Sequence, residues 1–221
     1  YEAYNEQEEA NYVAENVHKI FSGGDYYKDI AVLYRSNAQS RTIEEYLLRQ
    51  NLPYVIYGGV RFYERLEIKN VLAYLRLIVN RNDNAAFERS IGAPTRGIGE
   101  KTLEQIRAYS QKNDLSLFQS CKGLVKDGGL KGKAAKSLDS FCDFIETCAE
   151  IIHELPSDEF VEKVINQSGL IDHHMKEKGE KGRIRIENIN ELISAVKSFE
   201  IINKNEDLSC LLYTSPSPRD A

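Results

Sequence analysis

Two places in the sequence carry residues whose types and spacing suit chemistry on a phosphate. The first is Arg35, which directly follows the apolar run Ile30, Ala31, Val32, Leu33 and Tyr34 and precedes a polar loop at 36–40. A guanidinium is planar, permanently charged and forked, so it matches phosphate oxygens. At the carboxyl end of a central strand it stands where open α/β sheets bind their ligands. An ion pair with a neighbouring surface carboxylate is the other use for an arginine there. The second place is 95–107, TRGIGEKTLEQIR, in which Gly97 and Gly99 flank Ile98 and a helix begins near Glu100 and Lys101, with Leu103 and Ile106 inward. Glycines ahead of a helix leave its first backbone N–H groups unpaired. With the helix dipole these make a small anion site, to which Lys101 and Arg107 add charge. A plain tight turn is the alternative.

The elements that must position these residues follow from periodicity. Ala10, Val13, Ala14, Val17 and Ile20 keep helical spacing, closed by SGGD at 22–25. The uncharged, β-branched run 30–34 predicts a strand buried on both faces of a parallel sheet. A helix over 41–50, with Ile43, Tyr46 and Leu47 on one face, and a second strand over 54–57 complete a βαβ unit. Ile68, Leu72, Leu75 and Val79 predict an amphipathic helix whose polar face carries Arg65, Lys69 and Arg76. A short helix follows around 85–90, and Pro94 stops it. The glycine- and lysine-rich stretch 123–132 is the expected domain boundary. Beyond it the pattern is helical: Leu138, Phe141, Ile145, Cys148 and Ile152; then 160–167, opened by Ser157 and Asp158 as a cap; then a charged loop at 176–185; then Ile189, Leu192, Val196 and Phe199.

Composition narrows the class. The 221 residues are 42% hydrophobic and 29% charged, as in ordinary globular proteins. No apolar run is long enough to span a membrane, so no membrane partner is expected. Cys121, Cys142, Cys148 and Cys210 lack metal-site spacing, and His173–His174 has no matching ligand set. Reduced, mostly buried thiols, no metal and a cytoplasmic location are therefore expected. The net charge of −5 argues against a simple polyanion-coating protein. Between Arg61 and Arg107, however, nine basic residues face six acidic ones, a surplus compatible with a groove for a nucleic-acid backbone.

Several blocks, in order, carry a family likeness: YRSNAQSR, YGGVRFYERLEIKN, YLRLIVNRND, PTRGIGEKTL and KGEKGRIRIENINEL. Together they resemble the UvrD/PcrA/Rep-type superfamily-one DNA helicases, and most closely the bacterial UvrD helicases of DNA repair, over residues 1 to about 208. The resemblance implies an ATP-dependent 3′-to-5′ helicase in which two RecA-like domains clasp ATP and Mg²⁺, and single-stranded DNA or a single-strand/duplex junction crosses them. It implies a partial RecA-like parallel-sheet domain over 1–127, followed by the start of an all-α inserted domain over 128–209. It also implies that Arg35 reaches the γ-phosphate and is the catalytic residue, with Gln39 and Arg41 positioning its loop. Tyr57, Gly58, Gly59 and Arg61 match the next block. Arg61, Gly97, Ile98, Gly99, Lys101 and Arg107 are the implied DNA contacts, and the Gly-Ile-Gly turn is similar to that of helix–hairpin–helix modules that grip DNA backbone. Phe62 and Tyr63 could stack on bases, though core packing is their expected use.

No phosphate-loop sequence or acidic pair for magnesium is present, so most of the ATP and Mg²⁺ site is expected on the missing first motor domain. DNA-repair proteins are conceivable partners. The segment 210–221, CLLYTSPSPRDA, resembles translated sequencing-adapter DNA and is expected to be disordered; a natural Ser/Pro-rich tail is the alternative. That segment and the missing initial methionine suggest a fragment, inactive alone. A non-catalytic nucleic-acid-binding or regulatory module on a degenerate RecA-like domain is the rival reading.

Overall fold

The structure is a computed structural model that describes residues 1–35, 37–56 and 60–202; for 37, 38 and 200–202 only the backbone is described. Tyr57, Gly58, Gly59, Cys210 and the whole 210–221 segment, each given a role above, lie outside the described residues. The chain forms two compact units, Tyr1–Arg65 and Leu66–Ala221. The boundary expected at 127/128 falls inside the second, between two helices.

The first unit contains α1 (Glu6–Ser22), a 3-10 turn at Tyr27–Asp29, α2 (Asn37–Arg49) and a second 3-10 turn at Phe62–Glu64. Helix α1 begins where Asn5 accepts the Glu8 N–H through its side chain at 2.8 Å, and Glu6, Glu8 and Glu9 complement the dipole in its first turn. Ala14 and Val17 of α1 meet Leu47 of α2 and Leu52, and Ile30, Val32 and Tyr54 pack against that cluster.

The expected α/β fold with a RecA-like parallel sheet is not what forms: among the described residues there are helices and turns but no strand. Residues 30–34 and 52–56 lie between these elements without pairing into a ladder. Only alternate side chains of the first run, Ile30 and Val32, reach the helix pair, while Leu33 is 93% exposed and, in the second run, Val55 is 75% exposed. An apolar β-branched run does not say whether its backbone groups find a neighbouring strand. Two short segments alone make at best a marginal sheet. Here one face of each is satisfied by helices.

Polar side chains tie this unit together. The buried Glu44 of α2 accepts from the Phe62 N–H at 3.1 Å and the Tyr54 hydroxyl at 3.3 Å, locking the 62–64 turn onto the helix. Arg65, predicted on a solvated helix face, is instead buried, donating to Ser40 Oγ at 2.8 Å and lying over the Phe62 ring. Phe62 is fully buried, and Tyr63 donates to Glu45, which also holds Arg41 at 2.8 Å.

The second unit is all-helical, built around α3 (Leu66–Val79), with α4 (Asn84–Gly92), α7 (Gly132–Ile151), α8 (Ser157–Ser168) and α10 (Glu180–Ile202) packed on it. The predicted apolar stripe of α3 is there, yet its other faces are also covered, and Glu67 and Asn70 are buried with it. These two polar residues find partners: the Asn188 amide donates to Glu67 at 2.6 Å, and Arg89 to Asn70 at 3.1 Å. Outside this bundle α5 (Glu100–Asn113) pairs with α6 (Leu117–Lys126), and α6 rests on α7. A reciprocal Ser116–Gln119 cap starts α6. The short α9 (Leu170–Met175) packs on α8 and α10.

Neither α6 nor α9 was anticipated. The charged loop expected over 176–185 is helical from Glu180 onward, and the cap position of α8 is Pro156, with no side-chain bond, rather than Ser157. Cys121, Cys142 and Cys148 are buried free thiols, with Cys121 and Cys142 Sγ 3.6 Å apart across the α6–α7 contact. Burial pushes Cys148 up to about 11. No described helix is long and apolar enough to cross a membrane.

Burial raises the Glu44 carboxyl above its ordinary value, and the bonds from Phe62, Ser40 and Tyr54 only partly oppose this. A raised folded-state acid binds its proton more tightly than the unfolded chain does, so stability falls as pH rises through the interval above the ordinary carboxylate pKa. Glu44→Gln keeps an acceptor for Phe62 and Tyr54 but removes the titration. The melting temperature of the variant relative to wild type should therefore climb as pH is raised from about 4 to about 7. A difference that stays flat across that range would remove Glu44 as its source.

Candidate nucleic-acid interface

The Gly97–Ile98–Gly99 turn connects α4 to α5, and its root is one residue earlier. Arg96 spreads its guanidinium over the carbonyl oxygens of Ser90 at 2.9 Å, Ile91 at 3.3 Å, Pro94 at 3.0 Å and Ser168 at 3.3 Å, and also donates to the Tyr74 hydroxyl. Its plane lies over the Tyr74 and Phe141 rings, 5.6 and 5.0 Å from their centroids. The arginine thus satisfies carbonyls where α4 and α8 end, groups a helix cannot satisfy itself. Sequence reading counted Arg96 only within a basic surplus. A stronger signal was its place directly before a turn that must be held still.

From that root the chain turns through Gly97 at φ 72°, a backbone that glycine adopts without strain. Gly99 occupies the N-cap of α5 with no side chain capping the helix. Its own φ of −90° is ordinary, and a Cβ placed there would meet nothing within 4 Å. The fold leaves open space in front of the uncapped helix start. Ile98 is half-buried, while Gly97, Gly99 and Lys101 are exposed, and Lys101 has no ion-pair partner among the described residues.

Arg107 is placed differently. Its Nε lies 2.7 Å from Glu88 of α4 and another nitrogen 2.5 Å from Glu100. Hydrogen bonds to Glu88 and then Glu100 hold its proton more firmly than usual. Six residues after Lys101, it lies on another side of α5 and pins α5 to α4. The structure therefore brings Gly97, Ile98, Gly99 and Lys101 into one exposed turn and gives Arg107 to the helix pair behind it.

Arg35 and Arg61 belong to the first unit. Arg35 is exposed just before α2, and its guanidinium has no partner among the described residues. Its backbone N–H donates to the Gln39 side chain at 3.0 Å, so Gln39 fixes the turn from which Arg35 projects. Arg61 is exposed, stacked over the Tyr54 ring at 5.4 Å.

One group of side chains has the composition of a metal site: His173, His174 and Glu177 place ligand atoms within 4.8 Å of one another. Glu177 already lies 2.7 Å from His174 Nδ1 and 2.5 Å from Arg185, which together hold its carboxyl below the usual value. A cation there would have to displace the guanidinium.

Comparison with known proteins gives this geometry a family. Residues 1–213 match the UvrD-like helicase C-terminal domain. DNA helicase II of Escherichia coli is 46% identical over 208 residues, 94% of this chain and 29% of the relative. DNA helicase II of Haemophilus influenzae is 46% identical over 199 residues, 90% of the chain and 27% of the relative. ATP-dependent DNA helicase PcrA of Bacillus subtilis is 41% identical over 214 residues, 96% of the chain and 29% of the relative. The chain thus spans less than a third of the curated relatives it matches. With a family match across nearly its whole length, the chain belongs to the UvrD-like helicase C-terminal domain family.

Proposed function

We propose that this chain is part of an ATP-dependent 3′-to-5′ DNA helicase, cytoplasmic and active in DNA repair or replication, that takes single-stranded DNA and single-strand/duplex junctions. DNA-repair proteins are its expected partners. The observation that carries the reading is the Gly97–Gly99 turn: open space, an uncapped helix start and a free Lys101 in one exposed place. Backbone N–H groups and a lysine suit phosphate oxygens of any sequence, as an enzyme travelling along DNA needs. Arg61, in the first unit, is read by itself as a further phosphate contact.

Arg35 supplies the second part. Its exposed, unpartnered fork fits the terminal phosphate of ATP, and Gln39 holds its backbone in place. There it would stabilise charge on the phosphate oxygens during transfer and make closure sensitive to whether that phosphate is present. ATP bound with Mg²⁺ supplies the free energy. No phosphate-loop sequence lies in these 221 residues, so this reading puts the main nucleotide contacts elsewhere in the intact helicase.

The 221-residue chain alone should show no DNA-stimulated ATPase and no unwinding, and a measurable stimulated rate would contradict this assignment of parts. In the intact helicase, Arg35→Ala should lower kcat for ATP by on the order of 10³-fold, as removal of a phosphate-reaching arginine does, with single-stranded DNA affinity retained; unchanged turnover would take Arg35 out of the site. Lys101→Ala should weaken DNA binding equally for all sequences and reduce the slope of log K against log salt by about 1. Arg107→Ala should move that slope less, since Glu88 and Glu100 already balance its charge; the reverse order would reassign the contact.

A further inference from the structure

The helix start beside Arg35 is held by a side chain from the last residue of the same unit. Arg35 is exposed, and an arginine that must meet a phosphate needs a fixed footing. Its backbone N–H is bound by Gln39, in the first turn of α2. The next residue, Ser40, is 1% exposed, and its hydroxyl accepts from the Arg65 guanidinium, 25 residues later in the chain, at 2.8 Å.

Arg65 is itself buried, at 7% exposure; it lies over the Phe62 ring, and its Nε reaches the Val60 carbonyl at 3.5 Å. Ser40 also bonds Glu44 one helical turn further on, and Glu44 takes the Phe62 N–H at 3.1 Å. A hydroxyl can accept on one side and donate on the other, which fixes its orientation at both ends. Arg65, Ser40, Glu44 and Phe62 thus close a circuit around the first turn of α2. Burying a cation and a carboxylate is costly, and apolar side chains of similar volume would fill the same space at less expense. Packing alone does not account for an ionic circuit two to five residues from an exposed arginine head.

We propose that Arg65 is a positioning residue for ATP turnover: through Ser40 it fixes the first turn of α2, and so the Gln39 bond that sets the backbone from which Arg35 reaches the terminal phosphate. The proposal rests on the reading of Arg35 given above. Being buried, Arg65 acts through Ser40 rather than on a ligand. Its fork suits the task, since the guanidinium meets the Ser40 hydroxyl and the Val60 carbonyl from one rigid plane. Reacting groups tolerate little displacement, and a misplacement of about 1 Å can cost on the order of 10²-fold in rate.

The test is a double-mutant cycle on DNA-stimulated ATP turnover in the intact helicase. Ser40→Ala should lower kcat by on the order of 10-fold, the worth of a hydrogen bond from a charged donor, with KM for ATP unchanged. Arg65→Lys should do the same, because an ammonium lacks the fork that meets both acceptors. In an Arg35→Ala background neither change should lower kcat further, since the group they position is gone. Leu47→Ala, in the apolar cluster of the unit, should lower the melting temperature and leave kcat as it is. Losses that multiply with that of Arg35→Ala, or a kcat loss in Leu47→Ala as large as in Ser40→Ala, would overturn the proposal and make Arg65 a residue of stability alone. Full kcat in Ser40→Ala and Arg65→Lys beside slow turnover in Arg35→Ala would also overturn it, while leaving the reading of Arg35 in place. Full turnover in Arg35→Ala would overturn both.

Discussion

The second unit depends on how one guanidinium is satisfied. Arg96 collects carbonyls from the end of α4, the turn after it and the end of α8, takes the hydroxyl of Tyr74 on α3, and stacks on Phe141 of α7. Only a planar fork with five donors reaches so many acceptors at once; an ammonium at the same place would leave several buried carbonyls alone. Through this residue, the position of a surface turn is set by four packed helices. The glycines supply freedom of conformation, and the arginine takes most of it away. The result is a rigid platform for a backbone-binding turn, which favours binding because little order has to be created when the ligand arrives.

Periodicity made most of the helices legible and misread the two apolar runs of the first unit. Ile30–Val32 and Tyr54–Ile56 carry the side chains of strands, but a strand is defined by its neighbours' hydrogen bonds, and those are not written in its own residues. Helix α3 shows the converse case. Its apolar stripe was visible, yet nothing local marked Glu67 and Asn70 as buried, because their partners Asn188 and Arg89 lie 121 and 19 residues away. A buried polar group with a distant partner cannot be told from an exposed one by local pattern.

The candidate site divides along the same line. Arg35, Gly97, Gly99 and Lys101 could be picked out by residue type and position, since each stands exposed at the head of a helix. Arg107 looked equivalent, but folding places Glu88 of α4 within reach of it, 19 residues back in the chain. Arg96 stood in the sequence only as one of a basic surplus, and folding brings its acceptors to it. The family blocks identified the chain's relatives, while the separation of structural from ligand-facing cations came from geometry.

The deep burial of α3 has a kinetic side. Its backbone amides are shut away by α4, α7, α8 and α10, so their protons meet solvent only when the unit opens as a whole. At the start of α5, some twenty residues further on, the amides are uncapped and need no opening at all. Within one unit the chain thus passes from slowly exchanging protons to fast ones, and the groups offered to a phosphate are those whose exposure takes nothing from the stability of the rest.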